Sequence, residues 1–128
     1  MTEHHGKIWW SELLTRDPAA ARDYYAEVAG WTFETMPMGE REYFVASRHG
    51  APVAGIMDMT GVPGMDAVPP HWFTYVAVDD VDEAVRRTRA RGGEVKNDPF
   101  DVPGIGRIAI VTDPAGAAVG LITPAADS

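Results

Sequence analysis

Cysteine is absent from the 128 residues, which removes every disulfide framework and every thiolate metal site. Basic residues are scarce as well: 11 Lys and Arg stand against 19 Asp and Glu, giving a formal charge of −8 at pH 7 with His counted neutral. Nucleic-acid binding runs on clustered cations, so that partner is not expected. The one cluster, Arg86, Arg87, Arg89 and Arg91, falls in a helical pattern and reads as a solvated face. No apolar run approaches the roughly 18 residues of a membrane span, and residues 1–6 lack the apolar core of a signal peptide. The expectation is a cytoplasmic protein without a membrane partner. Serine occurs only at Ser11, Ser47 and Ser128, none in a nucleophile-elbow setting, so serine acyl transfer is not expected.

What is present fits one globular domain, 1–128, with a hydrophobic fraction of 45% and a charged fraction of 23%. Ile8 to Leu14 reads as a strand. Asp17 then caps a helix with Pro18 at its first position and Gly30 at its end, and Ala21, Tyr24, Tyr25 and Val28 form its apolar stripe. Three strands follow, at Trp31 to Met36, Tyr43 to Ser47 and Val53 to Met59. The stretch 61–70 holds Gly61, Pro63, Gly64, Pro69 and Pro70 and reads as a linker. Beyond it the pattern restarts. Trp72 to Val78 is a strand, Asp80 with Glu83 makes a capping box, and Val81, Ala84, Val85 and Thr88 face inward before Gly92 and Gly93. Strands at Glu94 to Lys96, Ile105 to Thr112 and Ala117 to Ile122 complete the order.

The two halves overlay. Trp10, Asp17 and Gly30 match Phe73, Asp80 and Gly93 at an offset of 63, and Ala54-Gly55-Ile56 matches Val119-Gly120-Leu121 at 65. The chain is therefore read as α+β, two tandem βαβββ modules at about 7–60 and 71–124. A sheet with one helix leaves its other face open, and a second module can cover it. The expected product is a half-barrel with a concave cleft, formed within one chain or across a homodimer.

The segment from Asp17 to Tyr25 with Gly30-Trp31, the helix start Val78-Asp79-Asp80-Val81-Asp82-Glu83-Ala84, and Gly106-Arg107 through Asp113-Pro114-Ala115-Gly116-Ala117 resemble the vicinal oxygen chelate superfamily. This is the glyoxalase, bleomycin-resistance and extradiol-dioxygenase group. The resemblance covers nearly the whole chain and is closest to small bacterial members. It implies a divalent metal held from the first and last strands of each module, at positions that fall on Trp10, Gly55, Phe73 and Gly120. None of these can bind a metal, and shifting each by one residue does not produce a ligand set. No metal and no cofactor are expected.

Two-residue alternation points Trp10, Glu12, Met57, Met59, Phe73 and Tyr75 into the cleft, with His71 and Arg107, and turns Trp9, Leu13, Trp72 and Val76 toward the helices. Trp10, Glu12, Met57, Phe73, Tyr75 and Arg107 are thus the candidate ligand-binding residues. A mid-strand carboxylate such as Glu12 is expected either to pair with Arg107 or to face a ligand. His4 and His5 sit at a terminus expected to be a flexible tail. Gly104-Ile105-Gly106-Arg107-Ile108-Ala109 matches a loose dinucleotide fingerprint but runs into a strand, so it carries no cofactor.

Two functions remain open. In the first, the protein resembles bleomycin-resistance proteins and binds a small aromatic or cationic molecule in a metal-free aromatic cleft, favoured by ring stacking and the −8 charge. In the second, it is a glyoxalase-like lyase or isomerase whose proton transfers rest on Glu12, Tyr75 or His71.

Overall fold

Each strand forms where apolar residues alternate, and each helix starts at an aspartate whose side chain takes up free backbone N–H groups. In the computed structural model, which describes residues 2–38 and 41–125, the order is β1 (Ile8–Thr15), α1 (Pro18–Ala29), β2 (Thr32–Met38), β3 (Arg41–Arg48) and β4 (Ala51–Asp58), then β5 (His71–Ala77), α2 (Val81–Ala90), β6 (Glu94–Val102), β7 (Gly106–Thr112) and β8 (Ala118–Pro124). The βαβββ order is thus stated twice, and the fold is α+β.

Asp17 Oδ1 accepts from Ala20 N at 3.0 Å, and α1 closes on Gly30 at φ 71°, a left-handed turn that glycine adopts without penalty. Asp80 Oδ1 accepts from Asp82 N and Glu83 N at 3.0 and 3.2 Å. The expected capping box differs in its second half: Glu83 turns its carboxylate to Arg86 and Arg87, one turn further along α2. That helix ends at Ala90 and is capped by Arg91, a residue before the glycine pair.

The chain divides into two compact units, one of residues 1–9 with 73–128 and one of Trp10–Trp72. In the Trp10–Trp72 unit the strands follow the order β2-β3-β4-β1, with β1 parallel to β4. Its core sets Leu13, Phe44 and Ile56 against Ala21, Tyr25 and Phe33. The stripe of α1 is narrower than its spacing suggests, for Tyr24 and Val28 are exposed. Segment 61–70 is a run of turns, held because the Arg16 guanidinium donates to the carbonyls of Met65 and Val68 at 2.7 and 2.8 Å.

In the other unit the order is β5-β8-β7-β6, and β5 runs parallel to β8. Val81 and Val85 of α2 pack on Ala109 and Val111. The opposite face carries Ala77, Ile108 and Ile122 with Trp9, Tyr75 and Ile110. Trp9 therefore lies away from α2, contrary to the alternation argument. Nor is the N-terminal segment loose: Gly6 N donates to Ala77 O at 2.7 Å, and Asp79 N donates to His5 Nδ1 at 2.9 Å.

The duplication extends to register. Glu12 pairs with Gly55 across β1 and β4, and Tyr75 pairs with Gly120 across β5 and β8; the next partners are Leu13 with Ile56 and Val76 with Leu121. Strand β6 is longer than expected because its pairing with β7 slips twice, around Asn97, and so passes Pro99. Proline lacks the ladder donor and is accommodated in an outer strand, as is Pro37 in β2.

Candidate functional site

Leu13, Phe44 and Ile56 point to α1, so alternation turns Glu12, Tyr43, Gly55 and Met57 to the helix-free face of the Trp10–Trp72 unit. Trp10 lies two residues before Glu12 on β1, and its Nε1–H donates to the Tyr43 hydroxyl at 3.0 Å. Glu12 is buried, the sole buried charged residue among those described. Its carboxylate accepts a hydrogen bond from the same Tyr43 hydroxyl. The phenol is pushed far above its ordinary value, first by burial and then by the negative charge of Glu12. Tyr43 therefore stays protonated at any physiological pH, able to donate and to accept.

Tyr43 was not among the residues singled out from sequence. Its Cα partner on β4 is Met57, but its ring leans along the strand until the hydroxyl covers Gly55. A Cβ built at Gly55 would overlap that hydroxyl. On the other unit, Phe73 and Tyr75 meet edge to face with centroids 5.3 Å apart, and the Tyr75 ring covers Gly120, where a Cβ would again overlap it. The glycines that the family resemblance sets at ligand positions are therefore roofed by tyrosine.

These residues do not fit the metal that the resemblance implies. Trp10 offers only an N–H donor and Phe73 no polar atom, while any side chain at 55 or 120 would collide with a ring. Among the described residues no three His, Asp or Glu side chains gather into a ligand set.

The other candidates separate. Trp10, Glu12 and Met57 share one face. Phe73 and Tyr75 share another, within the second unit. His71 opens β5, where its Nδ1 sits 2.8 Å from the carbonyl oxygen of Pro69, which makes Nδ1 the protonated nitrogen. Met59 is fully buried and belongs to the core. Arg107 requires a correction. It shares the parity of Ala109 and Val111, so it lies on the α2 face, where it donates to Asp82 at 2.8 and 3.1 Å and to Asp101 at 3.2 Å. Asp82 is held below the usual carboxylate range, first by its hydrogen bond from Arg107.

Two βαβββ modules in matching register, each with its first strand parallel to its last, define the glyoxalase-type class of α+β proteins. The chain belongs to the Glyoxalase/Bleomycin resistance protein/Dioxygenase superfamily, whose family model matches residues 7–121. It is 42% identical over 115 residues to "Putative glyoxylase CFP32" of Mycobacterium tuberculosis, covering 88% of this chain and 43% of that protein. It is 37% identical over 120 residues to the anthracycline biosynthesis protein DnrV of Streptomyces peucetius, covering 85% of this chain and 44% of that one. The chain thus spans less than half the length of these relatives. Among solved structures, methylmalonyl-CoA epimerase from Mycobacterium tuberculosis superimposes with a TM-score of 0.69 at 18% identity, over 99% of this chain and 94% of the epimerase. That likeness shows the fold. No described helix is long and apolar enough to cross a membrane.

Proposed function

We propose that the chain binds a small planar aromatic or cationic molecule on its helix-free aromatic faces, without a metal. The observation that carries this is the hydrogen-bonded trio Trp10, Tyr43 and Glu12, which puts an indole, a phenol and a buried carboxylate on one side of β1 and β3. Aromatic rings favour a flat ligand by stacking, and a carboxylate favours a cation. Phe73 and Tyr75 supply a second aromatic surface on the other unit. A relative is named for anthracycline biosynthesis, and that name supports a small-molecule reading. Arg107, neutralised by Asp82 and Asp101, is left out of the proposed site.

The test is a tryptophan-emission titration with 9-aminoacridine, a planar cation at neutral pH. Saturable quenching that W10F removes is expected. Quenching unchanged in W10F, or none at all, would reject the assignment.

The glyoxylase name among the relatives favours a second reading, a proton-transfer enzyme. Glu12 is then the base, the one candidate of Glu12, Tyr75 and His71 that is buried. Turnover of a hemithioacetal that E12Q abolishes would establish it; no turnover by the natural chain would dismiss it. Relatives of about twice the length also have room for a second such module pair, and we propose that this chain reaches the same size as a homodimer. Light scattering at a monomer mass would contradict that.

A further inference from the structure

We infer that Tyr43 is the specificity-determining residue of the Trp10–Trp72 unit: it stands where a side chain at position 55 would reach a ligand, and it selects molecules that offer a hydrogen-bond donor. This rests on the reading of that face as a binding surface.

The geometry is one of mutual exclusion. Gly55 pairs with Glu12 on one side and Val45 on the other, so a side chain there would project between β1 and β3. The Tyr43 hydroxyl already fills that volume. Any residue larger than glycine at 55 expels the ring, and the ring in place forbids any such residue. The unit that holds β5 and β8 repeats the exchange by a separate route, because Gly120 is roofed by Tyr75 from β5 whereas Gly55 is roofed by Tyr43 from β3. Duplication does not account for this. The module equivalent of Tyr75 is Glu12, which lies beside Gly55 and leaves it bare of any ring of its own.

The chemistry of the face follows from the hydroxyl's partners. A phenol has one proton and two lone pairs. Its proton goes to Glu12 and one lone pair receives the Trp10 N–H. The remaining lone pair can only accept. A ligand approaching Tyr43 must therefore bring an N–H or O–H, and the negative carboxylate behind it favours one that is also positively charged. A protonated amino-heteroaromatic ring or an amidinium meets both conditions, whereas a neutral ring of the same shape without N–H or O–H meets neither.

The experiment has two arms on the full chain. In the first, thermal melts are recorded for G55A, Y43A and the double variant. G55A alone is expected to lower Tm by about 5 °C or more, and to cost much less in the Y43A background. Equal cost in both backgrounds overturns the exchange. Y43L, too short to reach Gly55, serves the same cycle if Y43A does not fold.

In the second arm, 9-aminoacridine and acridine, which is neutral at pH 7.5, are titrated into the natural chain and Y43F. Loss of the hydroxyl is expected to weaken 9-aminoacridine about tenfold and acridine far less. An equal change for both probes, or none, overturns the selectivity. If the natural chain takes neither probe, the binding reading itself falls, and the melting cycle still decides whether Tyr43 holds the place of residue 55.

Discussion

Tyr43 shows what a single residue does when its register is fixed by others. Burial and the charge of Glu12 raise its pKa, so the folded chain keeps a proton that the unfolded chain releases near pH 10. The sign is definite: with more protons bound in the folded state, stability falls as pH rises above the unfolded value. The slope from this one group is about 1.4 kcal/mol per pH unit. Urea midpoints between pH 9 and 11 should therefore drop more steeply for the natural chain than for Y43F; parallel curves would show that the phenol titrates normally. Tyr43 was not legible in the sequence because its importance lies in its lean from Met57 to Gly55, which depends on the pairing of β3 with β4. Arg107 was misread for a related reason. Ile105 to Val111 is apolar on both faces, so alternation alone does not say which parity meets the helix.

At the scale of elements, the local signals that survived were those with a hydrogen bond behind them. Asp17 and Asp80 cap the two helices as their positions implied. Replacing Asp80 by Ala leaves the N–H groups of Asp82 and Glu83 to solvent, and should cost about 1 kcal/mol in urea denaturation. A loss within error would show that Thr123 Oγ1, which accepts from Val81 N at 2.9 Å, holds the helix start by itself. The tandem modules are readable because offsets of 63 for the first strands and helices and 65 for the last strands align whole elements, and under those two offsets the registers of β1 with β4 and β5 with β8 match. Lengths were less readable. Strand β6 continues past Pro99 because an outer strand can carry an unpaired position, a fact of sheet order that no local residue announces. The N-terminal segment reads as a tail in sequence, since nothing before β1 reveals that Asp79, more than seventy residues away, accepts from Thr2 and donates to His5.

For the whole molecule the governing quantity is charge. Much of the basic complement is engaged locally: Arg86 and Arg87 with Glu83, Arg107 with Asp82 and Asp101, Arg89 with Asp98, Lys96 with Glu94. Such exposed pairs contribute little to stability. They do, however, cancel in pairs, so the surplus of 19 acidic over 11 basic side chains is felt at long range as a net negative field. That field raises the local concentration of any cationic ligand before contact. It is also screened, with a Debye length of about 10 Å at 0.1 M salt and about 3 Å at 1 M. Two attractions can therefore be separated by one variable. Affinity for 9-aminoacridine should weaken as NaCl rises from about 0.02 to 0.5 M and then level off. The residual binding at high salt measures stacking on Trp10 and the short-range pull of Glu12, whose burial shields it from mobile ions. E12Q should lower that residual and leave the salt slope almost unchanged, because it removes one charge of the excess. If instead the slope vanished in E12Q, the attraction would reside in a single carboxylate and the acidity of the rest of the chain would have no part in recognition.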